Sequence, residues 1–336
     1  MRTISVITPC FNGENFLFRY LDSLVEQDYK DVEFIFVNDG STDKTEDIFL
    51  TYKPKLEKKG WKVVYIKQPH KNQAAALNKG LKIFRGEYLM WPDSDDILYP
   101  NHISKKVELM ENNLDCGIGF NVVDTVDESD TNKIIGQLRR IHEENDTLYE
   151  DCLFGHSKML WGGIGNIVRS SAFLDVVPDR DIYEGECGQN FQMIFPIAGK
   201  YKACYTEESL AKRVVRKGSH SNLQVWNSPQ RIFDHEDTFL HSIMRTQISD
   251  NQKTRDIVAM INCFENYKNR EKQQIEIKKK VEKEVKRIRQ NIEKQQTKNK
   301  KITFLGFTLF KIIHKPKTTK IKLFGIIPIL KIKEAK

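Results

Sequence analysis

Long apolar runs are absent from this sequence. Within its 336 residues, no stretch approaches the roughly 18 consecutive apolar residues that a helix needs to cross a bilayer. The apolar segment at the amino terminus, Ile4 to Thr8, is too short for a signal peptide and leads directly into a turn. These absences predict a protein that does not cross the membrane by itself.

Cysteine is scarce and shows no functional spacing. The six cysteines are Cys10, Cys116, Cys152, Cys187, Cys204 and Cys263. None belongs to a Cys-x-x-Cys pair, and their scatter matches no metal-site pattern. We therefore expect reduced thiols in a cytoplasmic protein.

Acidic residues are scarce only at the carboxy-terminal end of the chain. Residues 266–336 contain 22 Lys or Arg and 6 Asp or Glu, a net charge of +16, whereas the rest of the chain carries −8. Such a basic segment predicts an anionic partner, either a membrane surface or a nucleic acid. Because no RRM, KH or zinc pattern accompanies the charge, we expect no specific nucleic acid.

Apolar strands and helices alternate through the first hundred residues. Strands are predicted over residues 4–8, 32–37, 62–66 and 88–91, and helices over 16–25, 48–56 and 73–84. Unbroken apolar strands separated by helices indicate an α/β fold, whose parallel sheet is covered on both faces.

Polar loops follow three of these strands. They begin at Pro9, at Asn38 and at Asp93. Ligands of open parallel sheets bind beyond the carboxyl ends of the strands, so we expect these three loops to converge on one site.

The third loop, Asp93-Ser94-Asp95-Asp96, carries three carboxylates within four residues. Mutually repelling carboxylates suit Mg²⁺ or Mn²⁺, which usually share their coordination with substrate phosphates. An acidic cap on the following helix is the alternative explanation. The position of the cluster at the end of a parallel strand favours a role at a metal and a diphosphate.

Three sequence segments together resemble family 2 glycosyltransferases. They are Ile4 to Asn12, Phe36 to Asp43 and Asp93 to Asp96. The resemblance extends over roughly the first 110 residues and implies the GT-A fold, an α/β fold with a mostly parallel central sheet and a Rossmann-like nucleotide-binding half. It also implies sugar transfer from a nucleotide-sugar donor, most simply a UDP-sugar, with inversion and a divalent metal, Mg²⁺ or Mn²⁺.

The same resemblance assigns roles to individual residues. The implied nucleotide-sugar-binding residues are Pro9, Phe11, Asn12, Asp39, Asn72, Asp93, Ser94 and Asp95, and the implied metal ligands are Asp95, Asp96 and His220. Alternatives remain for four of them: Phe11 as a core aromatic, Asp39 as a turn residue, Asn72 as part of a solvated loop, and His220 as a structural or merely exposed histidine.

The sequence departs from the family pattern on the acceptor side. Family members usually carry a Glu-Asp pair before an apolar helix, and the Asp acts as the catalytic base, but here Asn190 stands at that position. An amide has no useful basicity at neutral pH. Glu184 and Glu186 are the nearest replacement bases, unless they belong to an exposed acidic loop. A homologue that binds sugar nucleotides without catalysis is the alternative that Asn190 raises.

The chain is expected to contain three parts. Residues 1–225 are predicted to form the catalytic domain (1–110 on the donor side, 111–225 on the acceptor side), 226–298 a helical extension, and 299–336 a basic and apolar repeat tail. An apolar seam over 277–292 predicts an amphipathic helix that either forms a homo-oligomer or packs back on the protein. The tail is expected to bind an anionic membrane, or to pack on the body as a small hairpin.

The resemblance extends to bacterial surface-polysaccharide transferases. It covers the segment from Gly188 to Phe195 and the Leu-Phe-Gly repeats near residues 305 and 324. We therefore expect an enzyme of capsule or lipopolysaccharide type biosynthesis. It would be peripheral on the cytoplasmic face of the membrane and would act on a glycan or lipid-linked acceptor.

Overall fold

The computed structural model describes most of the chain up to residue 262 and the strands of its carboxy-terminal segment. The described residues are 2–141, 148–154, 162–216, 229–246, 248–262, 265, 279, 283, 286, 301–304, 307–315, 318–323 and 330–333. The chain divides into two compact units, residues 1–268 and residues 269–336. The finer boundaries predicted after residues 110, 225 and 298 stay predictions.

The first unit begins with the expected alternation of strands and helices. Its first seven elements are β1 (Ile4–Cys10), α1 (Leu17–Val25), β2 (Val32–Asn38), α2 (Thr45–Lys58), β3 (Lys62–Lys67), α3 (Gln73–Leu81) and β4 (Tyr88–Met90). Strand β1 pairs in parallel with β2 and β4, and β2 pairs in parallel with β3. The predicted α/β class and the parallel sheet of this half are therefore confirmed.

Beyond β4 the sheet becomes mixed. The next elements are β5 (Ile97–Leu98), α4 (His102–Glu111), β6 (Cys116–Asp127), β7 (Asp130–Leu138), α5 (Leu148–Phe154), β8 (Asn166–Arg169), α6 (Ser170–Val176), α7 (Gln189–Ala198) and β9 (Lys202–Val215). The strand order is β3-β2-β1-β4-β8-β6-β9-β5, and β7 pairs with β6. Strand β8 runs antiparallel to both β4 and β6, whereas β6 and β9 are parallel. The second half of the domain thus continues the sheet beyond β4.

Two apolar layers hold the parallel strands in place. Every residue of β1 and β2 is buried. Helix α1 contributes Leu21 to the layer on one face, and α3 contributes Leu77 to the layer on the other. Gly80 of α3 lies so close to β1 that a Cβ there would come within 2.4 Å of the Ile7 Cγ2. This close packing fixes the strand ends, and with them the loops that follow.

Two more helices complete the described part of the first unit. Helix α8 (Pro229–Arg245) packs on α7, where the Phe239 and Phe191 rings stack with their centroids 3.9 Å apart. A further helix, α9, covers residues 250–262. Among the described residues, no helix combines the length and apolarity that spanning a bilayer requires.

The second unit contains a four-stranded antiparallel sheet. Its strands, in spatial order, are β10 (Lys301–Phe304), β11 (Phe307–Lys315), β12 (Thr318–Leu323) and β13 (Leu330–Lys333). The helix predicted over 277–292 lies outside the described residues except at Lys279, Lys283 and Lys286. The membrane and oligomer roles proposed for this segment stay predictions.

Candidate functional site

The three polar loops leave the carboxyl ends of β1, β2 and β4, which are neighbours in the sheet. Asn12 links the first two loops, because its N–H donates to Ser41 Oγ (3.0 Å) and its Oδ1 accepts from the Thr42 N–H (2.9 Å). Asn12 has a φ of 50°, a left-handed conformation that asparagine tolerates. The third loop joins them through Ser94, which hydrogen-bonds the thiol of buried Cys10. The structure thus brings the three loops together at one edge of the sheet.

Asp39 lies at this edge of the sheet. Its buried carboxylate accepts hydrogen bonds from three donors. Its Oδ1 accepts from the Gln68 side chain (2.6 Å) and from the Lys71 N–H (3.1 Å). Its Oδ2 accepts from His70 Nδ1 (2.9 Å). Asp39 therefore does more than shape the turn after β2, because it fixes the start of the segment that leads from β3 to α3.

Phe11 is the exposed aromatic of the site. The residue is 41% exposed, and its ring stacks on the His70 imidazole at a centroid distance of 3.7 Å and an interplanar angle of 12°. The core alternative for Phe11 is therefore wrong. Pro9, the other residue assigned to this pocket, is buried within β1 opposite Val37.

The carboxylates of the acidic loop contact three different elements. Asp93 Oδ1 accepts from the Gln73 side chain at the start of α3 (2.7 Å). Asp95 Oδ2 accepts from Arg216 Nη2 (2.5 Å) and Nε (3.0 Å), and Asp96 Oδ1 accepts from the Val214 N–H (3.1 Å). The loop is thus held by its surroundings, with its carboxylates pointing in different directions.

Burial and mutual repulsion make this loop costly to ionise. The pKa of Asp93 is raised to about 6, mainly by burial and to a smaller extent by the charge of Asp95. The same two causes, with the charge of Asp93, raise the pKa of Asp96 well above its usual range. Because repulsion is relieved by positive charge, these residues provide a suitable environment for a cation or a cationic ligand.

Arginines border the acidic loop. The Arg216 guanidinium lies over the Phe16 ring at 4.0 Å, and Arg19 Nε donates to the Asp95 backbone carbonyl (3.1 Å). The Arg19 Nη2 atom is buried and has no hydrogen-bond partner. The charge of Arg213 lowers the pKa of both Asp93 and Asp96. Positive and negative charges thus alternate around the loop, as expected where a phosphate chain and a cation bind together.

The residues present have the oxygen chemistry that Mg²⁺ or Mn²⁺ requires. In the described part of the chain, no group of three or more His, Cys, Asp or Glu side chains is arranged to hold a metal by itself. These ions are commonly bound by one or two carboxylates together with substrate phosphates, so the acidic loop fits them only in the presence of a diphosphate. His220, the third predicted ligand, lies outside the described residues.

Asn190 at the start of α7 lies beside the acidic loop. Its Oδ1 accepts from the Trp91 indole N–H at 2.7 Å. The neighbouring Gln189 donates to the Gln73 Oε1 (2.7 Å), and Gln73 in turn donates to Asp93. An uncharged chain of amides therefore joins α7 to the acidic loop at the position where the family pattern has two carboxylates.

The two glutamates before α7 differ in their surroundings. Glu184 pairs with the Lys71 ammonium, and this hydrogen bond lowers the pKa of Glu184. Its backbone carbonyl accepts from Asn72 Nδ2 (3.1 Å), while Asn72 Oδ1 caps α3 through the Ala75 N–H (2.9 Å). Glu186 is exposed. Both glutamates lie on the segment that faces the donor-side loop at Lys71 and Asn72.

Sequence reasoning missed three residues that organise this site. They are Arg19, His70 and Gln189, and Gln189 acts through Gln73, which links α7 to Asp93 and makes a fourth. His70 and Gln73 flank Asn72, the one residue of this segment to which the resemblance assigns a role. Local sequence gives no signal that His70 reaches Phe11, since the contact joins the loops after two different strands.

The architecture is similar to that of solved glycosyltransferases. The S. aureus TarS structure in complex with UDP-GlcNAc is 18% identical, has a TM-score of 0.58, and covers 77% of this chain and 72% of that chain. The mannosyltransferase PcManGT from Pyrobaculum calidifontis, in complex with GDP-Man and Mn²⁺, is 16% identical with a TM-score of 0.51, and covers 77% of this chain and 68% of that chain. At such low identity the similarity establishes the fold, which is the GT-A fold.

The sequence comparisons assign the first half of the chain to a family. Residues 5–165 match the family described as Glycosyl transferase family 2. An uncharacterized glycosyltransferase of Rickettsia typhi is 41% identical over 112 residues, which cover 33% of each chain. Glycosyltransferase GlyA of Streptococcus pneumoniae is 34% identical over 117 residues, which cover 34% of this chain and 16% of GlyA. The chain thus matches about a third or less of the length of these relatives. Residues 5–165 form a family 2 glycosyltransferase domain.

Proposed function

We propose that this protein is an inverting glycosyltransferase that moves a sugar from a UDP-sugar to a glycan or lipid-linked acceptor. The observation that carries the proposal is the convergence of Phe11, Asp39 and the acidic loop at one edge of the parallel sheet. TarS and PcManGT, which share the fold, have been solved with UDP-GlcNAc and with GDP-Man. Both ligands carry a base with an N–H group, the kind of donor that a carboxylate such as Asp39 accepts.

Each end of the donor has a matching part of the site. The base is assigned to Phe11 and Asp39, with Pro9 and Asn12 shaping the loop beneath it. The ribose and diphosphate are assigned to Asp93, Ser94 and Asp95, with Asn72 at the margin. Arg213 and Arg216 lie on β9 and just after it, where guanidinium groups would hold phosphate oxygens in two-point contacts.

A divalent ion would be held by Asp95 or Asp96 together with the donor diphosphate, and His220 is a further proposed ligand. The PcManGT complex contains Mn²⁺. When bound, the ion neutralises the negative charge that develops on the leaving nucleoside diphosphate. Arg213 and Arg216 would keep the phosphates oriented.

The base that deprotonates the acceptor is assigned to Glu186 in preference to Glu184. A carboxylate paired with Lys71 is less basic, because the ammonium stabilises its charged form. Asn190 keeps a positioning role, since its side chain fixes the Trp91 indole at the start of the acidic loop. A non-catalytic homologue that only binds sugar nucleotides is the second candidate function, because the chain of amides at Asn190 contains no base.

Glu186→Gln is expected to reduce sugar transfer to acceptor by about 100-fold while leaving UDP affinity unchanged, because only proton removal is lost. Glu184→Gln is the matched control and is expected to cost less than about tenfold, since the pair with Lys71 is exposed. Transfer assays with a mixture of lipid-linked acceptors would measure both variants. Full transfer by Glu186→Gln would remove the base assignment.

The reaction itself is tested by donor turnover. Purified full-length protein is incubated with UDP-, GDP-, CMP- and dTDP-sugars in the presence of Mn²⁺, and the release of nucleotide is measured. We expect turnover with one nucleotide class, the UDP-sugars. Binding of UDP without any turnover, with acceptors present, would favour the non-catalytic candidate.

The proposed place of action is the cytoplasmic face of the bacterial membrane, in surface-polysaccharide synthesis. The net charge of +16 over residues 266–336 supports this location, because juxtaposed lysines bind anionic headgroups. We expect the full chain to float with anionic vesicles at low salt, and a variant ending at residue 268 to remain unbound. Equal flotation of the two proteins would contradict the role given to the tail.

A further inference from the structure

We propose that His70 occupies the nucleobase position of the donor site in this structure and must rotate away before a nucleotide binds. His70 would then act as a built-in competitor that sets donor affinity. The inference rests on the proposed function, because it concerns the same site. It assigns a role to a residue that neither the family pattern nor the sequence motifs single out.

The imidazole of His70 makes the two contacts that a nucleobase is expected to make. Its ring is nearly parallel to the Phe11 ring, with the centroids 3.7 Å apart. Its Nδ1 lies 2.9 Å from Asp39 Oδ2, and the carboxylate can only accept, so the imidazole is the donor. A flat ring that stacks on Phe11 and donates an N–H to Asp39 describes uracil or guanine equally well.

The imidazole and a nucleobase would compete for both contacts. Asp39 Oδ1 already accepts from Gln68 and from the Lys71 N–H, so Oδ2 is the oxygen left for a base. A base that stacks on this face of Phe11 and donates to Oδ2 needs the same ring plane as the imidazole. In this structure, the His70 imidazole fills that plane.

Movement of the side chain alone would open the position. The His70 backbone packs on Gly40, where an added Cβ would come within 2.4 Å of the His70 N atom, and Gly40 has a φ of 73°. The hydrogen bond from the Lys71 N–H to Asp39 holds the next residue. The imidazole, in contrast, is 50% exposed, so rotation about its Cα–Cβ bond moves it into solvent without disturbing the backbone.

Removal of the imidazole is therefore expected to strengthen nucleotide binding. Displacing it costs one ring stack and one charge-assisted hydrogen bond, which together weaken donor binding by about tenfold. We expect His70→Ala to bind UDP about tenfold more tightly than the natural protein. Excess imidazole should refill the position, and so weaken UDP binding to His70→Ala but not to the natural protein.

Calorimetric titration of UDP into the full-length proteins, with Mn²⁺ present, tests the proposal. The matched control is His241→Ala, because His241 also stacks on an aromatic ring, that of Tyr183 (3.9 Å, 15°), and faces a carboxylate, Asp237. The control is expected to bind UDP like the natural protein. Melting temperatures would verify that both variants fold.

Two results would overturn the inference, and only the second of them would also overturn the proposed function. Equal or weaker binding of UDP by His70→Ala would mean that His70 supports the pocket instead of filling it, while the proposed function stands. Absence of UDP and GDP binding in both the natural protein and His70→Ala would overturn the proposed function, and this inference with it.

Discussion

Replacing Asp95 by asparagine is expected to lower donor turnover by at least about 100-fold while leaving the melting temperature nearly unchanged. Turnover falls because the charge that orients the diphosphate and its ion is lost from the centre of the acidic loop. The introduced amide would keep the shape of the side chain and could still accept a hydrogen bond from Arg216. Nucleotide release and thermal unfolding would be measured on the same preparation.

The melting temperature of Asp95→Asn is expected to stay nearly unchanged because two effects of the substitution oppose each other. The variant loses an ion pair with Arg216, which is worth about 1 kcal/mol for a partly exposed pair. It also loses the repulsion by which Asp95 raises the pKa of Asp93 and Asp96, so these carboxylates ionise more easily at neutral pH. We expect a change in melting temperature of less than about 3 °C.

Asp175→Asn provides a matched control for this prediction. Asp175 forms an ion pair of the same length, 2.5 Å, with Lys200, but it lies on α6 and takes no part in the three loops. The control is expected to retain turnover. Full turnover by Asp95→Asn, or equal losses in the two variants, would contradict the role of Asp95.

Asp39→Asn is expected to reverse the preference of the site from UDP to CDP. Uracil presents an N–H where cytosine presents a bare ring nitrogen, and Asp39 Oδ2 can only accept. In the variant, the carbonyl oxygen takes the place of Oδ1, because Gln68 and the Lys71 N–H both donate to that atom. The amide NH₂ then takes the place of Oδ2 and offers a donor to the base.

The expected magnitude follows from unpaired polar groups. Two donors facing each other cost about 2 kcal/mol, so UDP affinity should fall about 30-fold while CDP affinity rises. Competition between the two nucleotides, measured by calorimetry, would give both changes. Asp43→Asn is the matched control, because Asp43 lies in the same loop and accepts from Thr45 and from the Glu14 N–H. A variant at position 39 that still prefers UDP would contradict the base assignment.

The convergence of the three loops could be predicted because it follows from strand direction alone. Parallel neighbours end at the same edge, so Phe11, Asp39 and Asp95 had to lie near one another once β1, β2 and β4 were recognised. The strand pairing in the mixed second half of the sheet could not be predicted in this way. The antiparallel pairing of β8 with β4 depends on contacts between residues about 80 positions apart, which no local pattern reveals.

The side-chain contacts within the site also join residues that are far apart in the sequence. Asp39 and His70 are 31 residues apart, and Gln189 meets Gln73 across 116 residues. The sequence identified Asn190 as a departure from the family pattern. Only the structure shows that its side chain fixes the Trp91 indole, and that Glu184 pairs with Lys71.

A crystal structure of the full chain with UDP and Mn²⁺ tests the central claim most directly. The account predicts that the uracil ring lies against Phe11, with its N–H directed at Asp39 Oδ2 and the His70 imidazole rotated into solvent. The diphosphate and the ion are expected at Asp95 and Asp96, beside Arg216. UDP bound elsewhere, or bound at this edge of the sheet without contact to Phe11, Asp39 or the acidic loop, would contradict it.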